Sequence, residues 1–217
     1  MQKFIYRPPI EGPKILYQDQ DILVVNKPSG LLSNPGRAAE TQDCALTRVQ
    51  KSNKNAILIH RLDCETSGIL IFALNKAAER HLKIQFQERQ VNKTYLALVD
   101  ACPNVHQGRI ELPLTADKNQ IPLQKVDIKQ GKSAITDYQV LWTDGRTSLL
   151  KLHPLTGRTH QLRVHLKSLG HTILGDNFYA SDTIKNAKKR LCLHASEIKF
   201  THPRSNKLMH FLCPADF

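Results

Sequence analysis

No stretch of this chain stays apolar for long. The longest such run, Ile69–Leu74, is six residues, far short of the roughly 20 that cross a bilayer as a helix. The opening MQKFIYRPPIEG holds no apolar segment of signal-peptide type. No membrane partner and no secretion are expected. Cysteines are few and scattered: Cys44, Cys64, Cys102, Cys192 and Cys213 are odd in number and never spaced C-x-x-C. That excludes a disulfide framework and a thiolate zinc site and points to a reducing, cytoplasmic setting. Repeats, low-complexity tracts and long linkers are absent as well. The reading is one folded domain over residues 14–217, preceded by a proline-rich arm at 1–13 that is either ordered or a loose tail.

Acidic residues are in deficit. The chain has 217 residues, with 19 Asp and Glu against 31 Lys and Arg, a formal net charge of +12. A surplus of that size raises a positive potential and favours a polyanionic partner. Apolar residues, at 41%, suffice for a sizeable core and exclude disorder. A metal-dependent hydrolase built on His153, His160 and His165 is a weak reading. His160 and His165 are five apart, so they do not share a helix face, and neither H-E-x-x-H nor H-x-E…P-C-x-x-C occurs.

Local patterning predicts strands with interspersed helices. Ile15–Tyr17 and Ile22–Val25 flank the turn formers Asp19–Asp21 as a hairpin would. Asp43 is a candidate cap for a short helix reaching about Gln50. Ile57–His60 and Ile69–Leu74 read as apolar strands, and Thr94–Val99 as another. Ala78, Leu82 and Phe86 recur every fourth residue behind Asn75, a good N-cap, so 76–89 should be amphipathic helix. Leu162, Leu166 and Leu169 mark a helix over 160–169, with Gly170 as its C′ residue. Hairpin-length links place the whole in the α+β class with a mixed, mostly antiparallel sheet.

Two segments concentrate polar groups within apolar surroundings. In His60-Arg61-Leu62-Asp63-Cys64-Glu65-Thr66-Ser67-Gly68 a strand delivers basic and acidic groups into a tight turn. A sheet-held, exposed turn suits a site, although a surface Arg–Asp pair explains it equally well. In His153–His165 basic and hydroxyl groups open a helix, where phosphate can bind or where they simply meet solvent.

Together these segments resemble the RluA family of pseudouridine synthases. HRLDCETSGILIFAL (60–74) is similar to that family's signature around its aspartate. QFQERQVNKTYLALV, LHPLTGRTHQLRVHLKSLGHTILGDNFYA and LHA (193–195) resemble the later motifs, and NKPSGLLSNPG the opening strand and loop. The likeness runs from about Ile15 to the C-terminus. It implies a pseudouridine synthase fold, with flanking helices and loops around a basic catalytic cleft. Within the family the likeness is to the short type without an S4 RNA-binding domain, which acts on 23S rRNA and on tRNA anticodon stem-loops. RNA is the implied partner and DNA is not; a monomer is expected.

The implied reaction moves uracil from N1 to C5 on C1′ of the ribose. It is an isomerisation, so no cofactor and no metal are needed. One carboxylate suffices because the leaving base is retained. By resemblance Asp63 is that nucleophile. Arg163 is the guanidinium expected to keep it ionised and oriented, and Tyr95 the phenol on which uracil stacks, worth roughly 1–3 kcal/mol per base. Arg61 is suited to fill the space left by an everted uridine. His60, Leu193, Lys27 and Arg158 are further substrate-binding candidates, and Arg37, Arg89 and Lys93 extend the possible phosphate track. A non-catalytic RNA-binding or RNA-folding factor, or a synthase with a single rRNA or tRNA target, are the competing readings. On the leading reading, Arg163→Lys should leave folding nearly intact while slowing turnover.

Overall fold

The computed structural model describes residues 6–217 and is of the expected α+β class. The chain divides into two compact units. One runs to Val91 and takes back Glu197–Pro214; the other holds Asn92–Ser196 and Ala215–Phe217. No linker or composition shift marks Val91/Asn92, because strand-forming sequence lies on the far side of that point.

In the first unit Lys14–Gln18 (β1) and Ile22–Lys27 (β2) form the antiparallel hairpin anticipated from sequence. Its turn is closed by Asp19, whose Oδ1 accepts the N–H groups of Asp21 and Ile22 at 2.8 Å each. Ile57–Leu58 (β3) is shorter than the expected strand through His60, whereas Ser67–Ala73 (β4) matches the longer apolar run closely. β2 and β3 both pair antiparallel with β4. Every residue of β4 is buried, which is why it reads as a continuous apolar run and not as an alternation.

The helix Ala45–Gln50 (α1) is capped by Cys44, whose Sγ accepts the Thr47 N–H at 3.4 Å. Asp43, the expected cap, instead forms a bidentate pair with Arg48 at 2.7 and 2.8 Å. That guanidinium holds the Asp43 carboxyl below the usual carboxylate range. Arg48 also donates to the carbonyls of Pro9, Ile10 and Glu11, so this part of the arm is ordered; residues 1–5 lie outside the described residues. The helix Lys76–Gln87 (α2) begins as predicted, with Asn75 Oδ1 accepting the Ala78 N–H at 2.9 Å. Ala78 and Leu82 pack with Ile22, Ile71 and Phe200.

The second unit is built on Asn92–Asp100 (β5). Gln107–Glu111 (β6), Ile135–Thr143 (β9) and Thr147–Pro154 (β10) lie beyond it, with Leu114–Ala116 (β7) and Gln124–Val126 (β8) as a separate small antiparallel pair. β10 pairs antiparallel with both β5 and β9, and β6 pairs with β9. The helix Gln161–Ser168 (α3) ends at Gly170, at φ +86° as anticipated, and a short helix, Asp182–Asn186 (α4), follows. Leu162 and Leu166 of α3 join Ala97, Val99, Leu150 and Leu152 in the core of this unit. The strand Leu193–Thr201 (β11) starts in the second unit and finishes in the first. There it pairs antiparallel with Leu208–Leu212 (β12).

Candidate active site

Asp63 occupies the first position of a tight turn between β3 and β4, closed by the Thr66 N–H donating to the Asp63 carbonyl at 3.1 Å. The four successive carbonyls from Leu62 to Glu65 are all engaged. Ser33 Oγ donates to the Leu62 carbonyl at 2.7 Å and accepts the Leu62 N–H at 3.0 Å. The Cys64 carbonyl accepts from the Gly30 N–H at 2.9 Å and from Lys27 Nζ at 3.0 Å. The Glu65 carbonyl accepts from Ser29 Oγ at 2.6 Å. Gly30 reaches its carbonyl with φ +81°, a backbone state that glycine adopts without cost. The segment Lys27–Ser33 is therefore a brace for the Asp63 turn. The side chain it presents is half-buried, and among the described residues no hydrogen bond or ion pair engages the Asp63 carboxylate.

This overturns one expectation. Lys27 is not part of a phosphate track: it is 0% exposed, and its ammonium donates to the carbonyls of Pro28, Leu31 and Cys64. Burying a charged amine is tolerable only when such partners surround it. His60 has a structural duty as well. Its Nε2 accepts the Ile71 N–H at 3.2 Å and its ring stacks on Phe86, with centroids 4.9 Å apart. Arg61, next along the chain, is exposed.

In the second unit, Tyr95 lies on β5 opposite Leu152 and is half-buried against the core cluster. Lys93, two residues earlier, shares its strand face; burial pushes the Lys93 ammonium below the usual lysine range. Leu193, at the start of β11, is a core residue with 3% exposure. Arg158 is exposed and is held by Nε donating to the Ser133 carbonyl at 3.0 Å.

Arg163 has a partner that sequence reasoning missed. Its Nε and Nη2 fork onto the two oxygens of Asp176 at 2.8 and 2.6 Å, with side chains 1% and 0% exposed. The guanidinium carbon also lies 4.8 Å from the Phe178 ring centroid and 5.2 Å from that of Tyr179. Asp176 Oδ1 accepts the N–H groups of Phe178 and Tyr179 too, at 2.8 and 3.0 Å. Gly175, at φ +75°, lets the chain turn there, since a Cβ would collide with the Arg190 carbonyl oxygen. Asp176 lies in LGDNFYA, a glycine-preceded acid among aromatics, and nothing in that pattern indicates which cation it meets.

The braced turn presents one carboxylate with no partner of its own among the described residues, in a chain whose net charge of +12 suits a polyanionic substrate. Comparison with known proteins agrees. The family model described as RNA pseudouridylate synthase matches residues 21–168. The dual-specificity RNA pseudouridine synthase RluA of Yersinia pestis is 52% identical over 204 residues, covering 94% of this chain and 99% of that one. The protein of that name from Escherichia coli K12 is 50% identical over 214 residues, covering 98% of each. Among solved structures, human RNA pseudouridylate synthase domain containing 1 superposes with TM-score 0.79 at 29% identity, covering 98% of this chain and 87% of its own. The chain belongs to the RNA pseudouridylate synthase family, and is an isomerase acting on RNA.

Proposed function

We propose that this enzyme converts uridines to pseudouridine in both 23S rRNA and tRNA anticodon stem-loops, in the cytoplasm and as a monomer, with Asp63 as nucleophile. The observation that carries the assignment is the Asp63 carboxylate itself: unengaged, half-buried, and mounted on a turn held through the carbonyls of Leu62, Asp63, Cys64 and Glu65. A carboxylate kept idle on so rigid a support is preorganised for a substrate. The reading gives Tyr95 the uracil face and Arg163 the positive charge that favours the ionised nucleophile. Arg61 enters the space of the everted base, and Arg158 and Lys93 meet phosphate. The bond from C1′ to N1 breaks, C1′ bonds to C5, N1 regains a proton, and the C5 proton passes to solvent.

Release of tritium from 5-tritiated uridine in 23S rRNA fragments and in tRNA anticodon stem-loops tests this. Both RNAs should release label without added cofactor and in the presence of EDTA. Asp63→Ala should release none from either. Release from one RNA alone would reduce the assignment to a single-target synthase, and release by the Asp63→Ala protein would remove Asp63 from its role.

A further inference from the structure

One polar atom of the Asp63 turn has no use in the folded protein. Thr66 is 2% exposed, and its Oγ1 is buried with no hydrogen-bond partner. A buried hydroxyl without a partner is a standing cost to stability, and a methyl group of similar shape would remove it. The surrounding groups are not short of donors and acceptors. Ser29, Gly30, Ser33 and Lys27 are all engaged on the same turn, and the Thr66 N–H itself closes it. The unused donor therefore sits among used ones.

The same turn holds an unused acceptor, the Asp63 carboxylate. Asp63 and Thr66 are the first and fourth residues of one hydrogen-bonded turn, which keeps their Cα atoms within about 7 Å. The unused hydroxyl and the unused carboxylate therefore belong to one and the same turn. We propose that Thr66 is a positioning residue: its hydroxyl donates to one Asp63 oxygen once substrate occupies the site, leaving the other oxygen aimed at the reacting nucleoside. In the free enzyme the two groups stay apart and the carboxylate is solvated. As substrate displaces that water, the hydroxyl replaces one of the lost hydrogen bonds, which stabilises the charged form. The device rests on Asp63 being the nucleophile.

The test compares Thr66→Val, Thr66→Ser and Asp63→Ala in the full-length enzyme by thermal unfolding and by steady-state tritium release. Thr66→Val should unfold at the same temperature as wild type or higher, because no hydrogen bond is lost and an orphaned hydroxyl is gone. It should lower kcat about tenfold, an order-of-magnitude figure for one charge-assisted hydrogen bond, with KM little changed. Thr66→Ser, which keeps the hydroxyl, should stay near the wild-type kcat. A wild-type kcat in Thr66→Val, a Ser variant as slow as the Val variant, or a clear loss of thermal stability in Thr66→Val would each overturn the proposal. The last outcome would show that the hydroxyl is already bonded in the free protein. Asp63→Ala separates the two levels: if it is inactive while Thr66→Val is unimpaired, the inference about Thr66 fails and the assignment of Asp63 stands. An active Asp63→Ala protein removes both.

Discussion

At the scale of single residues, charge has been sorted by what each group can afford to bury. Arg163 and Asp176 are both enclosed, and each satisfies the other in a fork that a lysine cannot reproduce. This changes the expectation drawn from sequence, that Arg163→Lys would leave folding nearly intact. The substitution should lower stability by roughly 2 kcal/mol or more, because it leaves one buried carboxylate oxygen short of its donor. Denaturant unfolding measures this directly. Asp176→Asn should be at least as damaging, since it leaves a buried guanidinium without its counter-charge. If both variants unfold at the wild-type midpoint, the pair is energetically idle. Asp63 is the opposite case: with no partner to lose, Asp63→Ala should cost little stability while abolishing turnover.

At the scale of elements, the brace holds the Asp63 turn in the first unit and the helix α3 is anchored within the second. Lys27→Met keeps the apolar bulk of the side chain but withdraws its donors from three carbonyls. The expected cost is about 1–3 kcal/mol, together with slower single-turnover conversion as the Asp63 turn loosens. A variant with reduced stability but full turnover would separate the brace from catalysis. α3 carries the fully buried His165, held to β9 and to the segment after β6 by Nδ1 against Thr136 Oγ1 at 2.9 Å and Nε2 on the Leu112 carbonyl at 3.0 Å. A carbonyl only accepts, so Nε2 carries the proton and Nδ1 accepts the threonine hydroxyl. Burial holds His165 below its ordinary 6.5. The unfolded chain therefore takes up the proton first, and stability is lost as pH falls below 6.5. Unfolding measured from pH 7 down to about 5 should show this slope, and His165→Gln should flatten it at some cost in absolute stability. An unchanged slope would assign the acid sensitivity to other groups.

At the scale of the whole molecule, the net charge of +12 acts on encounter more than on chemistry. RNA affinity should fall linearly in log–log terms as salt rises, by about 0.7–0.9 per phosphate neutralised. Because Asp63→Ala removes a negative charge, that variant should bind RNA as tightly as wild type or more so while failing to isomerise it. Filter binding of the same stem-loop at several salt concentrations checks both points. Affinity that does not respond to salt would mean that the basic surplus plays no part in RNA capture.

Features fixed by neighbours along the chain were legible in the amino-acid sequence: the β1–β2 hairpin from its turn formers, the Asn75 cap, the Gly170 stop, the buried run of β4, and the Asp63 turn with its order of polar residues. Each depends on contacts a few residues apart or on a simple period, and that is the information a linear pattern carries. Tertiary structure decided the rest. Lys27 reads as a surface cation until its ammonium meets the Cys64 carbonyl 37 residues away. Ser33 reads as a loop serine until it brackets Leu62, 29 positions on. Asp176 reads as an acid in a glycine turn until it is folded onto Arg163, 13 residues earlier. Whether a charged side chain faces solvent, substrate or a buried counter-charge depends on which distant backbone is brought beside it, and no local pattern records that distance.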